Sequence, residues 1–291
     1  MKTYPICADC FRKGAGAVLK KTGASPELGE RVMKRIGEIL GHADPALPPP
    51  LAARDIYDSL YRILGISDAY REEKLLSTIC AEKILSAVRS DLLSHPDPFE
   101  AAARLAASGN ILDYGVDANL DLDKARELIL RAFTEPCATE EIRRLHNAME
   151  NAGSILYILD NCGEAVFDRF FMTPFRSKIT LAVRGKPVLN DVTREELAPS
   201  GLENFCRNTV DTGDSTPGID FAHSSPEFLQ AFRSADLVIA KGQGNFETLY
   251  QLTDRPLGCL FRAKCVAVSG LLNVPPLSLQ ILTDNFRSSS I

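Results

Sequence analysis

Residues 155–168 read ILYILDNCGEAVFD, and this stretch decides the predicted fold. Five apolar residues end at Asp160 and Asn161, and an apolar pattern with helical spacing begins at Ala165. A short apolar run bounded by turn residues is typical of a buried strand. The stretch therefore predicts a strand that brings a carboxylate and an amide to the start of a helix.

Asp160 and Asn161 have two interpretations. Ligands of open α/β sheets bind at the carboxyl ends of the strands, where a carboxylate and an amide suit a hard divalent cation and a helix N-terminus suits a phosphate. Asp and Asn are also favoured at the N-cap of a helix, where they satisfy backbone N–H groups and nothing more. This segment alone favours neither interpretation over the other.

Two patterns divide the chain near residue 150. Before it, apolar residues recur at helical spacing, which predicts helices over residues 26–40, 51–64, 70–93, 99–108, 122–133 and 139–149. After it, predicted strands at 155–159, 178–183, 206–211, 237–241 and 258–262 alternate with predicted helices at 166–171, 227–233 and 246–252. Such alternation indicates a mainly parallel sheet with crossover helices. We therefore predict an α/β fold, with a helical N-terminal region over residues 1–150 and an α/β core over residues 151–291.

Composition and charge exclude several classes of protein. The chain has 291 residues, of which 45% are hydrophobic and 24% charged, as is normal for a globular protein. The formal net charge is −5 and the sequence has no long basic run, so it lacks the basic patch that is typical of nucleic-acid-binding proteins. No apolar stretch approaches the roughly 18 residues that cross a bilayer, and the first residues lack the apolar core of a signal peptide. We expect a cytoplasmic protein without a nucleic-acid or membrane partner, whose oligomeric state the sequence leaves open.

Polar residues follow every predicted strand, at the point where each strand ends. They are Asp160 and Asn161, residues 184–191 with Asn190 and Asp191, Asp211 and Asp214, Lys241 to Asn245, and Arg262 to Lys264. Because the carboxyl ends of parallel strands meet at one edge, we expect these residues to converge. Asp160, Asn161 and Asp191 would then suit Mg²⁺ or Mn²⁺, and Lys241 and Lys264 would neutralise a phosphate as point charges.

The sequence KGQGN at residues 241–245 resembles a phosphate cradle. It comprises Lys241, Gly242, Gln243, Gly244 and Asn245. Its glycines permit close backbone approach, and the following helix would direct its N–H groups at the anion. A glycine pair at such a turn is common, and this one matches neither a Walker A loop nor a dinucleotide fingerprint. Its weight comes from the acidic residues predicted beside it.

Other catalytic arrangements have little support. The four histidines are scattered, and no Gly-x-Ser-x-Gly nucleophile elbow is present. Cys7 and Cys10 form a Cys-x-x-Cys pair, but a zinc site normally needs four ligands and a thioredoxin-like site needs a βαβ setting, whereas these flanks look helical. A structural role and a redox or metal-linked role both stay open for the pair. Asn110 and Asp113 belong either to a turn between helices or to a loop that closes on a ligand.

These segments together resemble the metal-dependent damage-control phosphatases, which include the acidic-residue methyltransferase-like (ARMT-like) phosphatases and the phosphatase domain of a pantothenate kinase. The resemblance spans nearly the whole chain. It rests on residues 7–10, 58–61, 68–70, 109–113, 159–164, 188–193, 241–247 and 262–265. The Cys-x-x-Cys pair looks like the prokaryotic branch. Cys162 departs from the family, in which alanine more often follows the acid–amide pair, and Ala263 stands where another branch has threonine.

The resemblance implies a helical N-terminal region packed on a three-layer α/β/α core. It implies that Asp160, Asn161 and Asp191 bind Mn²⁺, Mg²⁺, Co²⁺ or Ni²⁺, and that residues 241–245 with Lys264 contact the substrate phosphate. Glu164 would lie beside the metal ligands or touch the substrate, and Cys7, Cys10, Asn110 and Asp113 would be accessory. The family hydrolyses phosphate from sugar phosphates and damaged phosphometabolites, so a small phosphorylated metabolite is the expected partner.

We therefore predict a phosphatase that uses metal-assisted hydrolysis. Whether Asp160 attacks the phosphorus atom or only binds metal stays open, since a strand-end aspartate is compatible with both roles. Two alternatives remain. The first is a metal-independent cofactor-binding enzyme, such as a methyltransferase, that uses the glycines as a cofactor loop. The second is a metal or redox sensor built around Cys7 and Cys10.

Overall fold

The computed structural model describes residues 1–108 and 122–286, and its N-terminal part is helical. The described helices before the first strand are α1 (Pro5–Lys21), α2 (Pro26–His42), α3 (Pro49–Leu64), α4 (Arg71–Ser94), α5 (Pro98–Ser108), α6 (Leu122–Thr134) and α7 (Thr139–Asn151). Local signals explain their ends. The hydroxyl of Ser25 accepts a bond from the Leu28 N–H to cap α2, and Gly65 ends α3 with φ of 68°. The helix predictions are confirmed, and α1, whose bounds were not predicted, supplies the helical flanks expected around Cys7 and Cys10.

A six-stranded sheet follows, interleaved with helices. Its elements are β1 (Ile155–Ile158), α8 (Cys162–Met172), β2 (Ile179–Val183), β3 (Asn208–Asp211), α9 (Pro226–Ser234), β4 (Leu237–Lys241), α10 (Gly242–Leu249), β5 (Leu257–Arg262), α11 (Val266–Leu272) and β6 (Leu279–Asp284). The strand order is β3-β2-β1-β4-β5-β6. Strands β1 to β5 pair in parallel and β6 pairs antiparallel with β5. The predicted α/β fold with a mainly parallel sheet is confirmed, and β6 was not predicted.

Alternate residues of β1 face two different apolar layers. Ile155 and Tyr157 pack with residues of α5, α7 and α8, whereas Leu156 and Ile158 pack with residues of α9, α10 and α11. This alternation is the period of two that a strand imposes, and it makes the core a three-layer α/β/α arrangement. Residues on both sides of the predicted boundary at residue 150 share the first of these layers. Helices α1, α2 and α3 form a further apolar cluster, which Val188 of the segment after β2 joins.

The strand order reverses at β1. From β1 the chain adds β2 and β3 on one side, then crosses to the other side to add β4 and β5. The crevice between the carboxyl ends of β1 and β4 is therefore the topological switch point, where open α/β sheets bind ligands. Asp160 follows β1 and Gly242 follows β4, so both lie at this crevice. Among the described helices, none is long and apolar enough to cross a membrane.

Candidate active site

Asp160 and Asn161 form the connection between β1 and α8. Both are buried, with exposed fractions of 8% and 5%. Asn161 occupies the N-cap position of α8, yet its side chain accepts no capping hydrogen bond from the described residues of that helix. Its Nδ2 instead donates to Oδ2 of Asp160 at 3.0 Å. A pure capping role therefore does not explain Asn161, and its amide lies against the carboxylate that precedes it.

Asp191 is brought to the same place by backbone pairing. An isolated antiparallel bridge joins it to Asn161. On either side of that bridge, Val192 N donates to Asp160 O at 2.8 Å and Cys162 N donates to Asn190 O at 3.0 Å. The segment that follows β2 is thus fixed beside the segment that follows β1. The structure brings Asp160, Asn161 and Asp191 together, as we expected from their positions at the ends of predicted parallel strands.

Arg184 joins these acids to α10. Its guanidinium is almost wholly buried, and Nε donates to Oδ2 of Asp191 at 2.6 Å. Nη2 donates to Oδ1 of Asn245 at 3.1 Å and lies 3.7 Å from Oδ1 of Asp160, while Nη1 donates to Gly218 O at 2.9 Å. A buried arginine needs such partners, since its charge cannot be left in an apolar medium. Sequence reasoning noted residue 184 only as part of the segment after β2 and gave it no role.

Gly242 lets the backbone of α10 approach Asp160 closely. Its φ is 77°, in the left-handed region, and a side chain there would collide with the Asp160 carboxylate. Gly244 is equally restricted, because its side-chain position is taken by the carbonyl oxygen of Pro217. Both glycines of the predicted cradle therefore permit close contacts within the protein. The start of α10 faces Asp160, and its positive dipole end favours negative charge there.

The surroundings of Asp160 oppose its ionisation. Burial raises the pKa of its carboxyl well above the usual range, and the charges of Asp191 and Glu164 raise that pKa further. Arg184 and Lys264 act in the opposite direction, with smaller effects. A cation bound between the carboxylates would compensate this excess of negative charge, because buried anions are normally paired or coordinated to a metal. The carboxylate and amide oxygens fit a hard ion such as Mg²⁺ or Mn²⁺.

The acidic side chains of the crevice do not form a metal site by themselves. No group of three or more His, Cys, Asp or Glu side chains within residues 1–108 and 122–286 is arranged to hold a metal ion. Asp160 and Asp191 supply two acidic side chains, and the amide of Asn161 beside Asp160 is a candidate for a third ligand. Two or three protein ligands leave coordination positions open, which is how Mg²⁺ is usually held.

Comparison with known proteins identifies the family of this chain. The profile of the damage-control phosphatase ARMT1-like domain matches residues 3–278 of the chain. This chain belongs to the damage-control phosphatase family. It is 31% identical to the damage-control phosphatase PH1575 of Pyrococcus horikoshii, over 99% of this chain and 100% of that protein. It is 28% identical to a damage-control phosphatase of Archaeoglobus fulgidus, over 92% of this chain and 94% of the other.

A solved structure supports the assignment at the level of the fold. The crystal structure of PH1575, described as a DUF89 family protein, superposes with a TM-score of 0.86 at 30% sequence identity. The match covers 97% of this chain and 99% of that one. The helical N-terminal region and the mostly parallel sheet are therefore the fold of the damage-control phosphatase family.

Lys241 does not extend into the crevice of this damage-control phosphatase, contrary to the sequence-based expectation. Its ammonium is fully buried beneath the crevice, with Ala106 O at 2.8 Å, Oδ1 of Asp168 at 2.8 Å and Oε1 of Glu164 at 3.2 Å. Its charge is therefore paired with two buried carboxylates of the protein, and its hydrogen bond to Ala106 O anchors it to α5.

The polar side chains of α10 hold the ends of the strands together. Asn245 Nδ2 donates to Lys241 O at 2.7 Å and to Leu159 O at 3.3 Å. Gln243 Oε1 accepts from Lys264 N at 2.8 Å. Lys264 itself is half-buried, and its charge acts on Asp160. Among the predicted phosphate contacts, Gln243 and Asn245 thus bind protein groups, and Lys264 is the lysine whose charge acts on Asp160.

Two acidic residues of the resembling segments join the N-terminal helices to the loops of the sheet. Asp68 lies 2.9 Å from Nζ of Lys74, a buried lysine of α4 whose second carboxylate partner is Glu196 at 3.4 Å. Oδ1 of Asp58 accepts from the hydroxyl of Ser215 at 2.5 Å. Helices α3 and α4 are therefore bound to the segments that follow β2 and β3, beside the crevice.

Cys7 and Cys10 lie in the first two turns of α1, so their flanks are helical as predicted. Cys7 is buried and Cys10 is exposed. Burial is the main cause that raises the pKa of both thiols, and the neighbouring Cys265 raises it in the same direction. Sγ of Cys265 in turn lies 3.5 Å from Nε2 of Gln243, a residue of the first turn of α10. Asn110 and Asp113 fall outside the described residues.

Proposed function

We propose that this protein is a metal-dependent phosphatase that hydrolyses phosphomonoesters of small metabolites, namely sugar phosphates or damaged phosphometabolites. Membership of the damage-control phosphatase family supports a phosphatase in metabolite repair. The single observation that carries the metal dependence is the convergence of Asp160, Asn161 and Asp191 at the switch point of the sheet. We expect the reaction to take place in the cytoplasm.

Asp160, Asn161 and Asp191 would hold the ion, which we propose to be Mn²⁺, Mg²⁺, Co²⁺ or Ni²⁺. When bound, a divalent ion polarises a phosphoryl oxygen and makes a water molecule more acidic. Arg184 fixes the Asp191 carboxylate through a 2.6 Å hydrogen bond, so that ligand is pre-oriented. Asn161 keeps its amide beside Asp160 through their 3.0 Å contact. Preorganised ligands of this kind need no rearrangement during the reaction.

The substrate phosphate would lie between the starts of α8 and α10. Both helices begin at the crevice, and their N-terminal N–H groups favour an anion. Gly242 keeps the first turn of α10 against Asp160, which a residue with a side chain would prevent. Lys264 adds a positive charge from the segment after β5. These groups would orient the phosphate and stabilise the charge that develops on it.

The contacts of the glycines disfavour a metal-independent cofactor enzyme. A cofactor loop uses its glycines to approach a bound molecule, whereas Gly242 and Gly244 approach Asp160 and Pro217 of this protein. The glycines are therefore already explained by contacts within the fold. The same geometry disfavours a sensor centred on Cys7 and Cys10, because the acids converge at the switch point and not at these thiols.

Turnover of p-nitrophenyl phosphate with Mn²⁺ tests this proposal, and EDTA should abolish it. Asp160→Ala should lower kcat at least about 100-fold, because loss of an outer partner of a metal ligand already costs 10–100-fold. Asp254→Ala is the matched control, since Asp254 is exposed in the turn between α10 and β5, at the opposite edge of the sheet. Circular dichroism should stay native for both variants.

Two outcomes would contradict the proposal. One is turnover that survives EDTA and dialysis at the rate of the Mn²⁺-loaded protein. The other is an Asp160→Ala variant that keeps the kcat of Asp254→Ala. A panel of sugar phosphates and other phosphometabolites, assayed with each of the four ions, then identifies the substrate class and the preferred metal.

A further inference from the structure

A chain of four buried polar side chains lies directly beneath the crevice. Tyr157, Glu164, Asp168 and Lys241 are each at most 1% exposed. The hydroxyl of Tyr157 donates to Oδ1 of Asp168 at 2.8 Å, and the same oxygen lies 2.8 Å from Nζ of Lys241. Nζ of Lys241 lies 3.2 Å from Oε1 of Glu164. The chain therefore runs without interruption from the middle of β1 to the first turn of α8.

The backbone explains why these groups meet. Glu164 and Asp168 are one helical turn apart on α8, so both carboxylates project from the same side of that helix. Lys241 alternates with Leu237 and Ile239 of β4, both of which belong to the apolar layer under α5 and α8. Its side chain therefore points into that layer, although its main chain begins the cradle. The C-terminal turn of α5 contributes Ala106 O as the third partner.

The network connects the two sides of the switch point. Lys241 ends β4, whereas Glu164 stands four residues after Asp160 in the segment that follows β1. The charge of the Glu164 carboxylate also acts on Asp160 and raises the pKa of that carboxyl. An ammonium that holds Glu164 and Asp168 from β4 thus fixes the first turn of α8 relative to the start of α10. Those two helix starts carry the proposed metal ligands and the proposed phosphate site.

We propose that Lys241 is a positioning residue: supported by Asp168 and Tyr157, it holds Glu164 and the Asp160–Asn161 turn in the geometry that catalysis requires, and it does not bind the phosphate. This role rests on the proposed phosphatase function. In this role none of Lys241, Asp168 and Tyr157 touches the substrate. Substitution of any of the three should therefore change kcat and the affinity for metal. If Lys241 instead contacted the phosphate directly, substitution of Lys241 alone should change KM and the inhibition by inorganic phosphate.

Three substitutions separate the two roles, namely Lys241→Met, Asp168→Asn and Tyr157→Phe. Asp168→Asn and Tyr157→Phe keep the shape of the side chain and remove only a charge or a hydroxyl. The assays are kcat and KM for p-nitrophenyl phosphate, the Ki of inorganic phosphate, and the Kd of Mn²⁺ from calorimetry without substrate. Thermal unfolding of each variant, next to wild type, checks the fold. The double variant Lys241→Met with Asp168→Asn removes both charges of the Lys241–Asp168 pair and leaves Glu164 without its ammonium, as Lys241→Met alone does.

A positioning role predicts that Lys241→Met and Asp168→Asn each lower kcat or weaken Mn²⁺ binding about 10–100-fold. It predicts that KM and the phosphate Ki change less than about threefold, because these substitutions remove no contact with the phosphate group. Tyr157→Phe should show the same pattern at a smaller size. The double variant should be no worse than Lys241→Met alone, because both changes break one unit.

The proposal is overturned if Asp168→Asn and Tyr157→Phe fold and keep the kcat and Mn²⁺ affinity of wild type, whatever happens to Lys241→Met. It is also overturned if Lys241→Met mainly raises KM and the phosphate Ki. Failure of the proposed function looks different. Wild-type protein without any Mn²⁺-dependent turnover overturns the phosphatase and the positioning role together, whereas active wild type with unaffected Asp168→Asn overturns only the latter.

Discussion

Asp160 is a carboxylate that the fold buries among other carboxylates. Asp191 and Glu164 both act on it, and only 8% of the residue is exposed. Desolvation and like charges oppose ionisation, so the apo site carries an unfavourable electrostatic energy that a divalent cation would relieve. Such an arrangement reduces the stability of the free protein in order to bind a ligand. Functional sites are where this kind of local conflict is expected.

Gly242 is the residue at which the geometry of the site is most sensitive. Gly242→Ala should lower the unfolding free energy by about 1–3 kcal/mol, because alanine is strained at a positive φ. The new methyl group would also displace the Asp160 carboxylate, so kcat should fall at least about 10-fold. Urea unfolding and steady-state turnover of the purified variant measure the two effects.

Gly16 provides a matched control for that substitution. It lies in α1, is exposed, and has open space where a side chain would stand. Gly16→Ala should raise the unfolding free energy by about 0.5–1 kcal/mol, since glycine weakens a helix interior, and it should leave turnover unchanged. Equal behaviour of the two variants would mean that the close approach of α10 to Asp160 has no importance for the reaction.

At the scale of elements, α10 carries a buried acid next to the point where the amino terminus of the chain binds this helix. Burial raises the pKa of Glu247 to about 7 from an ordinary value of 4.5, although Gln243 and the charged amino terminus act in the opposite direction. Gln243 Nε2 donates to Oε1 of Glu247 at 2.7 Å, and the amino terminus of Met1 donates to Glu247 O at 2.6 Å. Burial of the carboxyl group thus favours the protonated form of this side chain.

A raised carboxyl pKa gives a defined pH dependence of stability. Between these two pKa values the folded protein holds the Glu247 proton, whereas the unfolded chain has released it. The contribution of the protonated side chain to the free energy of unfolding is therefore complete below about pH 4.5 and is lost as the pH rises through about 7. A shift of this size corresponds to roughly 3 kcal/mol. The unfolding free energy of Glu247→Gln minus that of wild type should therefore be larger at about pH 8 than at about pH 5.

Urea unfolding of wild type and Glu247→Gln at the two pH values measures this difference. Glu30→Gln serves as the control, since Glu30 is an exposed glutamate of α2. Its effect on stability should be within about 0.5 kcal/mol at both pH values. A stability difference between wild type and Glu247→Gln that stays constant across this range would show that Glu247 is ionised in the folded protein.

The direction of one side chain explains why sequence reasoning misassigned Lys241. The end of β4 could be predicted from the apolar run at 237–240, and it correctly brought residue 241 to the edge of the sheet. The alternation also puts Lys241 on the face of Leu237 and Ile239. The sequence does not reveal that α5 and α8 cover this face and leave a buried pair of carboxylates there. That information comes from tertiary packing.

At the scale of the whole molecule, the order of strands generates the candidate site. Alternation of strands and helices sufficed to predict a mainly parallel sheet, and parallel strands bring their carboxyl ends to one edge. The reversal of order at β1 is a long-range property that no local pattern encodes. Arg184 was missed for the same reason, because its partners Asp191, Asn245 and Gly218 come from three separate segments. Residue types thus predicted the chemistry, and packing assigned each side chain its partners.

Anomalous scattering from crystals grown with Mn²⁺ tests the central claim most directly. The account predicts one strong peak at the switch point, about 2.0–2.3 Å from an oxygen of each of Asp160, Asn161 and Asp191. Soaking with inorganic phosphate should add density between that peak and the starts of α8 and α10, leaving Lys241 bound to Glu164 and Asp168. A peak between Cys7 and Cys10, or no peak beside Asp160 at saturating Mn²⁺, would contradict the account.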